Sequence, residues 1–153
     1  MIAELLLALQ AVFASELLLA LALCGLTVAL VALCVPGTIL PLSLSSGALL
    51  GVAGGAAVFA GAVIGSHLLF LASRHFLRER IHARWGARLA PLERHFENRG
   101  FVYVAGLRLA GVPHFLVTAG SALSPVRARS FLAATALGFL PAIVVGSSAG
   151  SLV

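Results

Sequence analysis

The chain runs from Leu17 to Ser73 without a charged residue, a stretch of 57 positions. A membrane-spanning helix needs about 20 apolar residues, so this stretch holds two spans and a surplus of about 17 residues. Only 10% of the whole chain is charged, against about a quarter in soluble domains. The sequence therefore predicts an all-α integral membrane protein, with residues 1–153 as one membrane domain.

The surplus falls in PGTILPLSLSSGALLG, residues 36–51, which contains two prolines and helix-loosening glycines. Because this segment is too apolar for an aqueous loop, we expect a re-entrant hairpin that enters the membrane and returns to the same side. The flanking spans are then 17–35 and 52–73. The second span carries Gly61 and Gly65, a spacing that permits close helix packing.

Residues 74–100 carry most of the charge, with seven arginines and three glutamates. Apolar residues recur there every three or four positions, which predicts an amphipathic helix. Its arginines and Trp85 are typical of a helix on the membrane surface, with Arg74 and Arg78 at its start. The alternative is a solvated connector that packs on its own protein. The positive-inside rule places this basic loop in the cytoplasm.

Residues 101–124, FVYVAGLRLAGVPHFLVTAGSALS, are apolar but contain Arg108 and Pro113. Two further arginines follow in SPVRARS. A single crossing would place these arginines outside, whereas a hairpin returns them to the side of the central basic loop. We therefore expect a second re-entrant hairpin, followed by a final span over 130–151.

The two halves then share one plan, a re-entrant hairpin followed by a spanning helix. The hairpins open from opposite sides, so the sequence predicts an inverted repeat with its working site near the bilayer midplane. SGALLGV at 46–52 is similar to GSALSPV at 120–126, which supports the repeat.

Arg108 is the main candidate for a functional residue. A charge near the bilayer centre costs at least about 2.5 kcal/mol, and the membrane segments offer no acidic partner. Its partners are then backbone carbonyls at broken helix ends or an anionic group of a substrate, and its planar fork suits phosphate. The alternative is that Arg108 snorkels to the cytoplasmic interface.

Other candidates lie near the two hairpin turns. His114, beside Pro113, is expected to relay protons or bind an anion, or else to make a structural hydrogen bond to a carbonyl. Pro36, Gly37 and Thr38 are expected to shape the first hairpin.

The sequence lacks the motifs that are typical of several classes of function. The sequence has no paired carboxylates, no Gly-rich phosphate loop and no metal-binding spacing of His or Cys. We therefore expect no enzyme, no cofactor and no metal site. The net charge of +5 comes mainly from arginines in the predicted cytoplasmic loop, which the positive-inside rule explains. Nucleic acid is therefore not an expected partner.

Three strings within residues 33–150 resemble the DedA and VTT-domain superfamily, also called SNARE-associated Golgi proteins. They are VPGTILPLSLSSGALLG, GGAAVFAGAVIGSHLLFLASRHF and NRGFVYVAGLRLAGVPHFLVTAGSALSPVRARSFLAATALGFLP. The resemblance rests on a Pro-Gly-Thr opening, a Gly-rich helix that ends at Arg74, and an Arg-Leu before Pro113. It implies two facing re-entrant hairpins and transbilayer lipid movement, with undecaprenyl phosphate or phospholipids as the lipids in bacterial relatives.

The chain also departs from that pattern. The first hairpin has none of the acidic residues of the DedA branch, so the resemblance does not extend to proton coupling. Phe115 and Leu116 stand where that branch often has a second arginine. Thr118 stands where the eukaryotic-like branch often has asparagine, and it joins the candidate site residues.

The leading hypothesis is a flippase or scramblase that moves phospholipid or polyprenyl phosphate between leaflets of the bacterial cytoplasmic membrane. One alternative is a transporter of small anions or other solutes. Another is a membrane assembly or envelope-maintenance factor without transport activity. The expected partners are membrane lipids and a second copy of the chain or another membrane protein.

Overall fold

The structure, a computed structural model, describes the backbone of residues 2–152 and the side chains of residues 11–80, 83–84 and 99–152. This described part contains helices and no strand, which confirms the all-α prediction. The helices are α1 (Ile2–Ala32), α2 (Ile39–Phe76), α3 (Arg78–Leu109), α4 (His114–Leu123) and α5 (Ala128–Gly150).

Three helical segments in the described residues are long and apolar enough to cross a membrane: Ala11–Ala32, Ile39–Phe76 and Ala128–Gly150. Their outward faces carry large apolar side chains, among them Val52 and Val145, which are 89% and 67% exposed. Such continuous apolar surface suits contact with lipid. These features confirm an integral membrane protein.

Helix α2 consists of two arms that reverse direction at Gly51. Gly51 has φ +56° and ψ −130°, a conformation almost restricted to glycine. A side chain at Gly54 would collide with the backbone carbonyl of Ser46, although these residues would be about 12 Å apart along a straight helix. Residues 39–50 are therefore a short arm that folds against the long arm, residues 52–76.

Helix α5 packs antiparallel to the long arm. The rings of Phe70 and Phe131 stack with centroids 4.4 Å apart. Further along, one apolar cluster joins residues of both helices, namely Val58, Ala62, Phe139 and Ile143. Residues of increasing number along the long arm therefore contact residues of decreasing number along α5. The two helices form the centre of the molecule.

Close contacts at small residues join the remaining helices. An added Cβ at Gly61 would lie 2.6 Å from the carbonyl oxygen of Cys24, and one at Gly65 would lie 2.8 Å from that of Val28. These two glycines thus lie where α1 packs on the long arm. The short arm packs on the end of α5 in the same way, since Gly146 and Gly150 lie against Ser43 and Leu44. These contacts were not predicted from the sequence.

The chain turns with one backbone motif after α1 and after α3. After α1, Cys34 has φ +61°, and the amides of Cys34 and Val35 donate to Val31 and Leu30 over 3.1 and 3.0 Å. After α3, Gly111 has φ +78°, and two amides close the same pattern: Gly111 to Arg108 over 3.2 Å and Val112 to Leu107 over 3.1 Å. Both are Schellman motifs, and Val-Pro follows each left-handed residue.

We name residues 33–38 tip 1 and residues 110–113 tip 2. Tip 1 leads into the short arm and then the long arm, and tip 2 leads into α4 and then α5. Because the long arm and α5 are antiparallel, the two units have the inverted arrangement of a repeat. Their equivalent tip positions differ by 77 in number, as Cys34 and Gly111 show.

The second predicted hairpin, 101–124, folds back within itself. An added Cβ at Gly100 would lie 2.7 Å from Val126, while Arg108 bonds Thr118 near tip 2. The arms before and after tip 2 are therefore antiparallel. Whether this hairpin enters and leaves a membrane on one side stays a prediction.

The first hairpin differs from its predicted form. Residues 36–51 were expected to reverse within themselves, but residues 39–50 form one helical arm, and the reversals lie at tip 1 and at Gly51. Pro36 and Gly37 precede this helix. Pro41 lies in its first turn, where a missing backbone N–H costs little. Nothing in the remainder of the arm breaks the helix.

The helix bounds also differ from the expected spans. Helix α1 begins at Ile2 instead of residue 17 and ends at Ala32, while the long arm continues to Phe76 and α5 begins at Ala128. The basic segment begins in the last turn of α2 and continues in α3, which has a break at Arg99 (φ −135°, ψ 23°). The side chain of Trp85 lies outside the described residues, so its position at a membrane surface stays a prediction.

Candidate functional site

The guanidinium of Arg108 is buried in the last turn of α3, where the side chain is only 8% exposed. Its Nη2 donates to the hydroxyl of Thr118 over 3.2 Å. That hydroxyl in turn donates to the carbonyl oxygen of His114, one helical turn earlier, over 2.8 Å. The pairing holds Arg108 against α4, so both arms around tip 2 position the charge.

Helix α5 supplies the opposite wall. The Cζ of Arg108 lies 4.4 Å from the ring centroid of Phe139 and 5.5 Å from that of Phe131. Both rings are within the range of a cation–π attraction. Between them, Gly138 leaves room for the arginine stem, because an added Cβ there would lie 2.7 Å from the Cβ of Arg108.

Much of the hydrogen-bonding capacity of Arg108 is unused. Its Nε and Nη1 are buried and have no partner in the part of the chain that the structure describes. The sequence has no acidic residue from Leu17 to Arg78 or after Glu97. A buried donor without an acceptor is costly, and a buried charge more so. The site is therefore suited to an anion that supplies both acceptors and negative charge.

His114, directly after tip 2, bonds the end of α1 just before tip 1. Its Nε2 lies 3.2 Å from the carbonyl oxygen of Val31, in the last turn of α1. Because a carbonyl oxygen only accepts, this ring nitrogen is the donor. Of the two roles considered for His114, the geometry provides the structural hydrogen bond.

The candidate residues of the first hairpin shape tip 1. Gly37 has φ +76°, which glycine adopts readily. The hydroxyl of Thr38 donates to the carbonyl of Val35 over 3.3 Å, so it closes the tip on itself. In the second unit, Pro113 directly precedes α4, and its carbonyl accepts the amides of Leu116 and Val117.

Arg74 links the end of α2 to the connection between α4 and α5. Its Nη1 donates to the carbonyl of Val126 over 2.8 Å, and its Cζ lies 5.4 Å from the Phe70 ring. Arg74 and Arg78 also line a surface cavity of about 470 Å³, together with His75 and Glu79. This cavity lies at the open end of the second hairpin, near Val126, which is 18 residues after Arg108 in the chain.

The sequence reading missed the partners of Arg108 on α5, namely Phe131, Gly138 and Phe139. Their spacing of about two helical turns places them on one face, but only the packing shows which helix that face meets. It also missed the recurrence of Val-Pro in both tips, which is visible in the sequence itself. Among the described residues, no group of three or more His, Cys or Glu could hold a metal ion.

A comparison with protein families finds the VTT domain over residues 5–152. The chain belongs to the VTT-domain family. Proteins of this family are membrane-associated and often linked to transport, and they are not typically enzymes. The VTT match extends the resemblance of residues 33–150 to almost the full chain. Comparisons with curated proteins and with solved structures gave no match.

Proposed function

We propose that the protein moves lipids with a phosphate group between membrane leaflets, as a flippase or scramblase. The observation that carries this proposal is the buried guanidinium of Arg108, which has two nitrogens without partners among the described residues and no acidic residue nearby in the sequence. A lipid phosphate would supply both the charge and the acceptors. The lipids in question are phospholipids or polyprenyl phosphates.

A cleft between the long arm and α5 supports a lipid over a soluble substrate. It has a volume of about 310 Å³ and is lined mainly by apolar side chains, including Val52, Phe59, Leu140 and Val144. Ile143 also lines it and belongs to the same apolar cluster as Phe139, whose ring contacts Arg108. An acyl chain in this cleft would lie beside the charged site.

The proposal includes a location and an orientation. The protein lies in the bacterial cytoplasmic membrane, with the basic segment 74–100 on the cytoplasmic side. Arg74, Arg78 and Trp85 lie at the membrane surface, where the basic segment attracts anionic headgroups. The protein acts without a catalytic step, and it works with membrane lipids and with a second copy or another membrane protein.

A transporter of small anions is the second candidate, because a soluble anion would satisfy the same guanidinium. Liposomes that contain the purified protein distinguish the two functions. One set carries fluorescent phospholipid in the inner leaflet, and the other holds radiolabelled phosphate outside. We expect lipid to cross and phosphate uptake to equal that of protein-free liposomes.

The matched variants are Arg108→Gln and Arg129→Gln, since Arg129 is exposed at the start of α5. Arg108→Gln should reduce lipid movement to the protein-free rate, and Arg129→Gln should retain it. Size-exclusion chromatography verifies that both variants are folded and monodisperse. If Arg108→Gln moved lipid at the wild-type rate, the proposed role of Arg108 would be wrong.

A further inference from the structure

Two buried hydroxyls, those of Ser66 and Thr135, lack the usual bond of a helical hydroxyl. Ser and Thr inside helices commonly donate to a carbonyl three or four residues earlier. Most buried hydroxyls of the described residues do so, namely Thr27, Ser43, Ser46, Thr118, Ser121 and Ser124. Ser66 and Thr135 are 0% and 1% exposed, and their hydroxyls have no partner among those same residues. Both groups are therefore available to a ligand.

The packing of α2 against α5 places these two hydroxyls opposite each other. Phe70 stacks on Phe131. One helical turn before Phe70 in α2 is Ser66, and one helical turn after Phe131 in α5 is Thr135. A further turn leads to Ala62 and Phe139, which share one apolar cluster. Since contacts on both sides fix the antiparallel register, Ser66 and Thr135 lie at the same level of the helix interface.

Arg108 lies beside the same point. Its Cζ is close to the rings of Phe131 and Phe139, and Thr135 occupies the turn between those rings on the same face of α5. The free Nε and Nη1 of Arg108 have no hydrogen bond to either hydroxyl. The three groups therefore lie along one stretch of the α2–α5 interface, and the sequences of α2, α4 and α5 contain no acidic residue.

We propose that Ser66, Thr135 and the free nitrogens of Arg108 form a buried site for the oxygens of a phosphate group. This inference rests on the proposed function and adds residues and a location to it. Donors converge from three helices, so a tetrahedral oxyanion with several acceptor oxygens fits better than a planar carboxylate with two. The phosphate then passes between α2 and α5, and not only along tip 2.

The site is tested with the full-length protein in detergent, by the thermal stabilisation that each probe produces. The probes are inorganic phosphate, dihexanoyl phosphatidic acid and dihexanoylglycerol, which lacks phosphate. A ligand that binds the folded state raises the midpoint as its concentration exceeds its Kd. Stabilisation by phosphatidic acid alone assigns the site to a lipid headgroup, and stabilisation by inorganic phosphate as well extends it to free phosphate. Failure of both phosphate probes on the wild type overturns the inference.

Variants test the two hydroxyls. Ser66→Ala and Thr135→Val should each raise the apparent Kd for phosphatidic acid by roughly tenfold or more, since each removes a hydrogen bond to a charged group. Thr135→Ser retains a hydroxyl, so its apparent Kd for phosphatidic acid should stay within about threefold of the wild-type value. A lost bond would raise that Kd roughly tenfold. Thr27→Val is the control, because the Thr27 hydroxyl bonds the carbonyl of Leu23 within α1.

The outcomes separate this inference from the proposed function. Wild-type affinity in both Ser66→Ala and Thr135→Val, with binding lost in Arg108→Gln, would overturn the role of the hydroxyls and leave lipid transport standing. Phosphate binding that depends on the hydroxyls in a protein that moves no lipid would support the site and reject lipid transport.

Discussion

Tip 1 and tip 2 begin with the same backbone motif but differ in chemistry. Each ends a helix with a Schellman motif and continues with Val-Pro, and equivalent positions differ by 77 in number. At the equivalent positions, Val31 of the first unit corresponds to Arg108 of the second, and Gly37 corresponds to His114. The repeated turn therefore has a structural role, whereas a buried arginine lies beside tip 2 and not beside tip 1. The anion of the proposed function would therefore meet two tips with different side chains.

The first unit depends on close backbone contact, and Gly54→Ala should damage the fold most. The added Cβ would collide with the carbonyl of Ser46, which is backbone and cannot rotate away. We expect a loss of about 3 kcal/mol in stability and little monodisperse protein on size-exclusion chromatography. Gly106→Ala, in the second unit, is the control because its added Cβ meets no atom within 4 Å. Equal yields for the two variants would contradict the tight reversal at Gly51.

Gly138→Ala should disturb the second unit at its charge. The new Cβ would lie 2.7 Å from the Cβ and 2.9 Å from the Cδ of Arg108, so the guanidinium must move. A displaced guanidinium would bind the phosphate of the proposed lipid more weakly, and a loss of about 1.4 kcal/mol corresponds to a tenfold decrease, so we expect lipid movement to fall at least tenfold. Gly120→Ala has open space and should keep the wild-type rate. An unchanged rate in Gly138→Ala would show that the position of Arg108 is not critical.

The shared motif predicts opposite effects at its two left-handed residues. Cys34→Gly relieves a positive φ at a residue with a side chain, and Gly111→Ala introduces the same strain. Each change is worth about 1 kcal/mol, with a higher melting temperature for Cys34→Gly and a lower one for Gly111→Ala. Thermal unfolding in detergent measures both. Shifts of the same sign would show that the tips are not equivalent.

The bond from His114 to the end of α1 should have a small effect. His114→Phe removes the donor to Val31, but the Val31 carbonyl still accepts the amide of Cys34. No buried acceptor is left unpaired, so the loss should be about 1 kcal/mol. Thermal unfolding should show this decrease, while lipid movement should fall by no more than about fivefold, the factor that about 1 kcal/mol corresponds to. Abolished transport in a stable His114→Phe protein would point to a proton relay instead.

The sequence was sufficient to predict the membrane class, because a charge-free run of 57 residues is long enough for two membrane spans. It also pointed to Arg108, since an isolated charge in an apolar segment needs a partner. Pro41 was expected to break a helix, whereas it lies in the first turn of α2, where a proline is tolerated. Whether residues 36–51 are re-entrant in a membrane stays a prediction. The aligned Val-Pro pairs would have placed tip 1 correctly.

The contacts of Arg108 with α5 could not be predicted from the sequence. Phe131 and Phe139 lie more than 20 positions after the arginine, and their ring contacts depend on how α5 packs against the second hairpin. Ser66 and Thr135 had no distinguishing pattern either. They enter the proposed site because their hydroxyls have no hydrogen bond among the described residues, which only the packed structure reveals.

The most direct test of the asymmetry compares one substitution in each unit by the initial rate of phospholipid movement in liposomes. The pair is Arg108→Gln near tip 2 and Thr38→Val in tip 1. The account predicts the protein-free rate for Arg108→Gln, and a rate within about twofold of the wild type for Thr38→Val, whose hydroxyl makes a local bond worth about 1 kcal/mol or less. Equal losses in the two folded variants, or wild-type movement with Arg108→Gln, would contradict it.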